Sequence, residues 1–140
     1  MAVMLDSIQL DEHADLAGDQ LEWTDEFEWD AVAQEQERSL AGNMIVQEGI
    51  KIHGRSITLA SNGAAWFMLS LVRQLEVLRD QPGRVMPLTL ADGREFHVIF
   101  NRIGGAALDA KPLERQVNPG PDALYELTIR LLTVAPPVTP

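Results

Sequence analysis

The chain has 140 residues, 46% of them apolar, and a formal net charge of −10. That length suits one domain of ordinary size, and the apolar share supports a real core and excludes a disordered chain. Cys is absent, which excludes a disulfide framework, a thiolate metal site and a Cys nucleophile.

The charge is unevenly spread. Residues 1–42 carry twelve acids and one base, Arg38, for a net of −11, while residues 43–140 carry nine acids and ten bases, for +1. Seven of those ten bases fall between Lys51 and Arg102. Such asymmetry suits a charged partner, or self-association in which unlike surfaces meet. A solvated acidic arm is the plainer alternative. Tight nucleic-acid binding is disfavoured, because no concentrated Lys/Arg patch with interleaved aromatics is present. The N-terminus has no basic region followed by an apolar one, so no signal peptide is expected. The longest apolar-dominated run, Ala64 to Val72, is far short of a bilayer span, so no membrane insertion is expected.

In chain order, residues 1–20 mix apolar and acidic side chains with little period and suggest an acidic arm, extended or with one short strand. "LEWTDEFEWDAV", residues 21–32, alternates apolar with acidic and predicts a strand. Leu21, Trp23, Phe27 and Trp29 would share one face, with Glu22, Glu26 and Glu28 on the wet side. Asp25 is the odd position that breaks the pattern. It suggests an irregularity or a strand end between Trp23 and Phe27, with two short strands sharing the segment. Met44–Ile52 alternates with a slip at Gly49 and predicts a bulged strand. Ser56–Ala60 follows as a short strand.

"SNGAAWFMLSLVRQLEVLRDQPG" predicts the one helix. Ser61 or Asn62 would cap it and Pro82–Gly83 would stop it. Trp66, Phe67, Leu69, Leu71, Val72, Leu75 and Leu78 form its apolar stripe, with Arg73, Glu76, Arg79 and Asp80 on the wet side. "RVMPLTLADGREFHVIF" predicts two strands around an Asp92–Gly93 turn. Met86, Leu88 and Leu90 face one way on the first, and Phe96, Val98 and Phe100 on the second. Pro87 lacks a donor, so its strand should lie at an edge or pair only partly. Ala107–Leu113 predicts a short strand, and "LYELTIRLLTV" a long closing one. The expected plan is an N-terminal acidic arm over 1–20, one domain over 21–134 and a Pro-rich tail over 135–140. The fold class is mostly β: an antiparallel barrel or sandwich of six to seven strands with one flanking amphipathic helix. Its core should hold Leu69, Val72, Leu75, Leu88, Leu90, Phe96, Val98, Phe100, Leu127, Ile129 and Leu131.

Chemistry is sparse. His13, His53 and His97 lie at no recognised metal spacing, and His97 should point away from the apolar face of its strand. Asp11, Asp15 and Glu22 mimic positions of a calcium loop, but Leu16 stands where that loop needs Gly and no helices flank it. Two of Glu22, Glu26 and Glu28 could form an acid/base pair, yet nothing buries one carboxyl or separates two pKa values. There is no GxSxG elbow and no phosphate-binding Gly loop. No catalytic residue, metal or cofactor is therefore assigned, and an enzyme is not expected. Trp23 and Trp29 could stack on a sugar or peptide, or belong to core or interface.

"GIKIHGRSITLAS", the helix segment, "MPLTLADGREFHVIF", "ALDAKPL" and "YELTIRLLTV" come in an order that resembles small tail proteins of long-tailed bacteriophages. "LEWTDEFEWDAVAQEQERSLAG" resembles that pattern too, as a Trp-bearing strand followed by a second strand near a Gln/Glu-rich segment. Together these cover residues 21–134. The resemblance is to the ring domain of distal-tail (baseplate hub) and tail-tube proteins. It implies a virion protein, made in the bacterial cytoplasm, that forms a homo-oligomeric ring, a hexamer. Such a ring joins the tail tube to the tail tip, contacts the neighbouring tube and tip proteins, and passes DNA through its channel without specific binding. Many distal-tail proteins carry a second, carbohydrate-module-like domain, and the chain has no room for one before Pro140. A tail-tube or tail-completion role is the alternative. Interface candidates are the acidic segment (Trp23, Glu26, Phe27, Glu28, Trp29) and the arginines Arg55, Arg73, Arg84 and Arg94. The acidic side chains would meet a neighbour's arginines or line the channel. Arg73 has a plainer reading as a local ion pair with Glu76.

Overall fold

The closing strand organises the sheet. In the computed structural model, which describes residues 3–6, 8–10, 21–61, 65–90, 92–114 and 117–136, β11 is Leu124–Thr133 and touches four other strands. Its alternation places Leu127, Ile129 and Leu131 inward, each almost completely buried. On one side its C-terminal half pairs with β9 (Glu95–Phe100) and its N-terminal half with β10 (Leu108–Pro112). On the other side it pairs with β6 (Ser56–Ala60) and with the two-residue β7 (Phe67–Met68).

The ladder continues outward from β9 through β8 (Met86–Thr89) to β1 (Met4–Leu5) and β2 (Ile8–Gln9), and from β6 to β3 (Glu22–Trp23). Every pairing is antiparallel. Among the described residues the sheet is open, with no barrel closure. The mostly β class with one helix is as the sequence indicated. The strand total is higher than six or seven because β1, β2, β3 and β7 are two-residue pieces that carry no readable period.

Helix α1 runs Leu69–Arg79 and buries Leu69, Leu71, Val72, Leu75 and Leu78, the stripe that its spacing predicts. It is shorter than expected. Phe67 belongs to β7 and is buried, whereas Trp66 is exposed. Ser61 caps no helix; its Oγ accepts the buried Leu127 N–H at 3.0 Å and so ties β6 to β11. The free N–H groups at the start of α1 go instead to loop carbonyls, Leu69 to Ala123 at 2.9 Å and Ser70 to Pro121 at 3.1 Å. Asn62, the other expected cap, lies outside the described residues.

One core joins helix and sheet. All the expected core residues are buried except Phe96, which is half-buried at its rim. Each fully buried Leu or Ile there contributes about 1.5–3 kcal/mol of transfer free energy. Residues expected in an acidic arm also serve this core: Val3, Leu5, Ile8 and Leu10 are buried. Asp6, at φ 55, turns the chain between β1 and β2. The calcium-loop positions Asp11, Asp15 and Leu16, and also His13, lie outside the described residues. Pro87 lies where β8 is paired only partly: β1 opposes Leu88 and Thr89, and β9 alone opposes Pro87.

Candidate assembly surface

Two strands stand apart from this sheet. Among the described residues β4 (Val32–Arg38) and β5 (Met44–Ile50) pair only with each other, in seven consecutive registers from Val32↔Ile50 to Arg38↔Met44. The run has no bulge at Gly49, which pairs with Ala33, so the expected slip is corrected. All residues of both strands are exposed. At about 3.3 Å per residue the ribbon is roughly 23 Å long. On one face lie Val32, Ile50, Val46 and Met44 among Gln34, Glu48, Gln36 and Arg38; on the other lie Glu35, Glu37, Gln47 and Ile45. Two wet faces explain why β4 has no apolar alternation to betray it.

The tip of this hairpin is built rather than loose. Gly42 N–H donates to Ser39 O at 2.9 Å, and Ser39 N–H to Asn43 O at 2.7 Å. The Ser39 hydroxyl accepts Asn43 N–H and the Arg38 guanidinium reaches Gly42 O. Gly42, at φ 88, holds the left-handed position that such a loop needs. Leu40 sits at the apex with its side chain wholly in solvent.

The root is fastened by the Trp- and acid-rich segment. The alternation expected over residues 21–32 stops at Trp23, and a short 3-10 turn, Glu26–Glu28, follows in place of a second strand. The shared aromatic face therefore does not form: Trp23 is half-buried, while Phe27 is 92% exposed on the turn. Asp25, the position that breaks the pattern, is the latch. Its carboxylate accepts Thr58 N–H at 2.8 Å, Ser56 Oγ–H at 2.8 Å and Thr58 Oγ1–H at 3.0 Å. Burial pushes the Asp25 pKa up, but the Thr58 N–H, the two hydroxyls and the nearby Trp23 indole outweigh it and hold the group below its ordinary value.

Four of the nine interface candidates converge beside this latch. Arg55 and Arg94 lie over the Trp23 ring, 4.4 and 5.1 Å from its centroid, and Phe96 meets its edge at 5.9 Å. Arg94 binds the Glu26 carboxylate at 3.0 Å and Asp92 at 2.7 Å, while Arg55 donates to Glu26 O at 2.8 Å. Partial burial would lower the Arg94 pKa; Glu26 and Asp92 overcome this and raise it. Asp92 is lowered by the Arg94 backbone N–H and then by its guanidinium.

The remaining candidates are dispersed. Trp29 is half-buried at the hairpin root, with Lys51 over its ring at 4.4 Å. It borders a cavity of about 390 Å³ that His53, Glu95 and His97 also line. Glu28 is exposed at the end of the turn. Arg73 pairs with Glu76 at 3.2 Å on α1, the local pair its spacing suggests, and Arg84 pairs with Asp6. These arginines are engaged within their own chain.

Sequence reasoning missed Leu40, the β4 strand and a second feature at the far end of β9. There Asn101–Ala107 loops out between β9 and β10. The Arg130 guanidinium reaches Ile103 O at 2.8 Å beneath it. A groove of about 240 Å³ opens beside this loop, lined by Arg84, Ile99, Phe100, Arg102, Ile103 and neighbours. Among the described residues, no group of three or more His, Asp or Glu is arranged to hold a metal ion. No described helix is long and apolar enough to cross a membrane.

Fold and surface together define a mostly β protein with one covering helix and a free-standing β-ribbon. Comparison with protein-family models, with curated proteins and with solved structures finds no match to the chain.

Proposed function

We propose that the chain is a structural, ring-forming subunit of a bacteriophage tail: a distal-tail or baseplate-hub adaptor that joins the tail tube to the tail tip. The observation that carries self-assembly is the β4–β5 hairpin. An isolated two-stranded ribbon is marginal in water, and this one exposes Val32, Met44, Ile45, Val46 and Ile50 with a formed apolar apex. Such a ribbon gains its stability when a partner covers it. The tail context comes from the resemblance of residues 21–134 to ring domains of tail proteins. In this reading the ring is a hexamer, the neighbours are tube and tip proteins, and DNA passes through an acidic channel that repels its phosphates. A tube or tail-completion subunit is the nearest alternative.

A sugar- or peptide-stacking module based on Trp23 and Trp29 is less well supported. Arg55, Arg94 and Phe96 crowd the Trp23 ring and Lys51 covers Trp29, so neither presents an open platform. Sedimentation and negative-stain imaging of the purified protein test the assembly reading. Rings many times the 15.5 kDa subunit mass are expected. A strict monomer at high concentration, with no assembly on a tail partner, would reject it.

A further inference from the structure

We propose that the β4–β5 hairpin of one subunit seats on the groove beside the 101–107 loop of a second copy, with Leu40 as its apolar anchor. This rests on the reading that the chain assembles with itself and adds the identity of the receiving surface.

Three observations select that groove. The first is shape and polarity. The groove offers about 240 Å³ with Phe100 at its floor, and Ile103 at its rim is 85% exposed. Ile99, Phe100, Ile103 and Leu132 give the groove an apolar stretch, bordered by Gln81, Arg84, Asn101 and Arg102, and that stretch suits a protruding Leu side chain. The second is charge. Glu35, Glu37 and Glu48 on the hairpin form no ion pair within the described residues. Arg102, at the groove, likewise has no carboxylate partner there; its guanidinium stacks near Phe100 and donates to backbone carbonyls of Arg79 and Gln81. Acid without base on the arm meets base without acid at the groove.

The third is placement. The hairpin root lies near the Glu95–His97 end of β9, and the groove lies at the Ile99–Phe100 end of the same strand. The hairpin's exposure along its whole length means that it does not fold back onto its own groove. Arm and receptor on different parts of one subunit make a heterologous contact, which propagates head to tail and closes into a ring when the rotation allows. Residues 32–50, exposed on both faces, also match the roughly 20 residues per side of a specific interface.

The test uses the full chain with Leu40→Glu, which spoils the arm, and Ile103→Glu, which spoils the groove. Both side chains are exposed, so both variants should keep the wild-type circular dichroism and unfolding midpoint. Each alone should fail to assemble in sedimentation, with at least a tenfold rise in the concentration needed. Mixed one to one, they should form dimers and nothing larger, because each pair holds one intact arm and one intact groove. Arg102→Glu should also raise the assembly concentration at least tenfold. If wild type assembles and Leu40→Glu does not, but Ile103→Glu assembles normally, the groove assignment fails while self-assembly stands. That pattern would fit ribbon-to-ribbon pairing instead. If the one-to-one mixture stays monomeric, the head-to-tail contact is overturned. If wild type itself never assembles, the functional reading fails with it.

Discussion

The Asp25 carboxylate accepts the Thr58 backbone N–H at 2.8 Å and so joins the segment before the hairpin to the middle of β6. Two hydroxyls complete its shell. A carboxylate placed there holds the 3-10 turn against the sheet, and the turn sets where the ribbon leaves the body.

Replacing Asp25 by Ala should cost about 1–2 kcal/mol in urea unfolding, toward the low end for hydrogen bonds to a charged group because the site is partly solvated. The folded-state pKa lies below the ordinary 3.8, so the native protein binds fewer protons than the unfolded chain in acid. The advantage of wild type over Asp25→Ala is therefore complete above the ordinary carboxylate value and lost as pH falls through the folded one. Unfolding midpoints of both proteins along a pH series check this. An advantage that stayed constant into strong acid would contradict the latch.

Ser61→Ala removes the acceptor of the buried Leu127 N–H. Leaving that donor unpaired should destabilise the protein by about 1–3 kcal/mol. Hydrogen exchange should show loss of protection at Leu127 and along β6, with α1 unaffected at its N-terminus. A helix cap at Ser61 would instead give fraying of α1.

Gly105 has φ 148, and a Cβ on it would stand 3.1 Å from Arg130 Nη1. Gly105→Ala should cost roughly 1–3 kcal/mol through backbone strain and displacement of the guanidinium. Shortening Arg130 to Ala in the same chain removes the collision but not the strain. The double variant should thus lose less than the two single losses added together, as a thermal-unfolding cycle would measure.

Excising residues 33–49 and closing Val32 to Ile50 with a two-residue Asn-Gly turn should leave the body folded. The ribbon contributes no buried side chain, so stability should change by no more than about 0.5 kcal/mol. Sedimentation should then show monomer only. A collapse of the unfolding transition would mean that the ribbon supports the body.

The sequence displayed what was wet on one side and dry on the other. Leu71, Leu75 and Leu78 on α1, and Leu127, Ile129 and Leu131 on β11, alternate or recur because one face of each element is buried. β4 was illegible for the opposite reason: Gln34, Glu35, Gln36 and Glu37 all meet water, so no period exists to read. The helix start was misjudged because its donors are met by Pro121 and Ala123 carbonyls, more than fifty residues away in sequence. Of the candidate site, Trp23, Glu26, Arg55 and Arg94 were named singly, but their convergence depends on the β3–β6 pairing. Asp25 showed itself only as an interruption. Leu40 and Arg102 gave no local signal at all.

A lone ribbon also carries a hazard. β4 and β5 each leave an outer edge that no other strand among the described residues pairs, which invites strands from any other chain. Glu35, Glu37 and Glu48 act there as gatekeepers, since two such ribbons brought edge to edge would set like charges against each other. Carboxylates at these three positions therefore disfavour edge-to-edge stacking of one such ribbon on another.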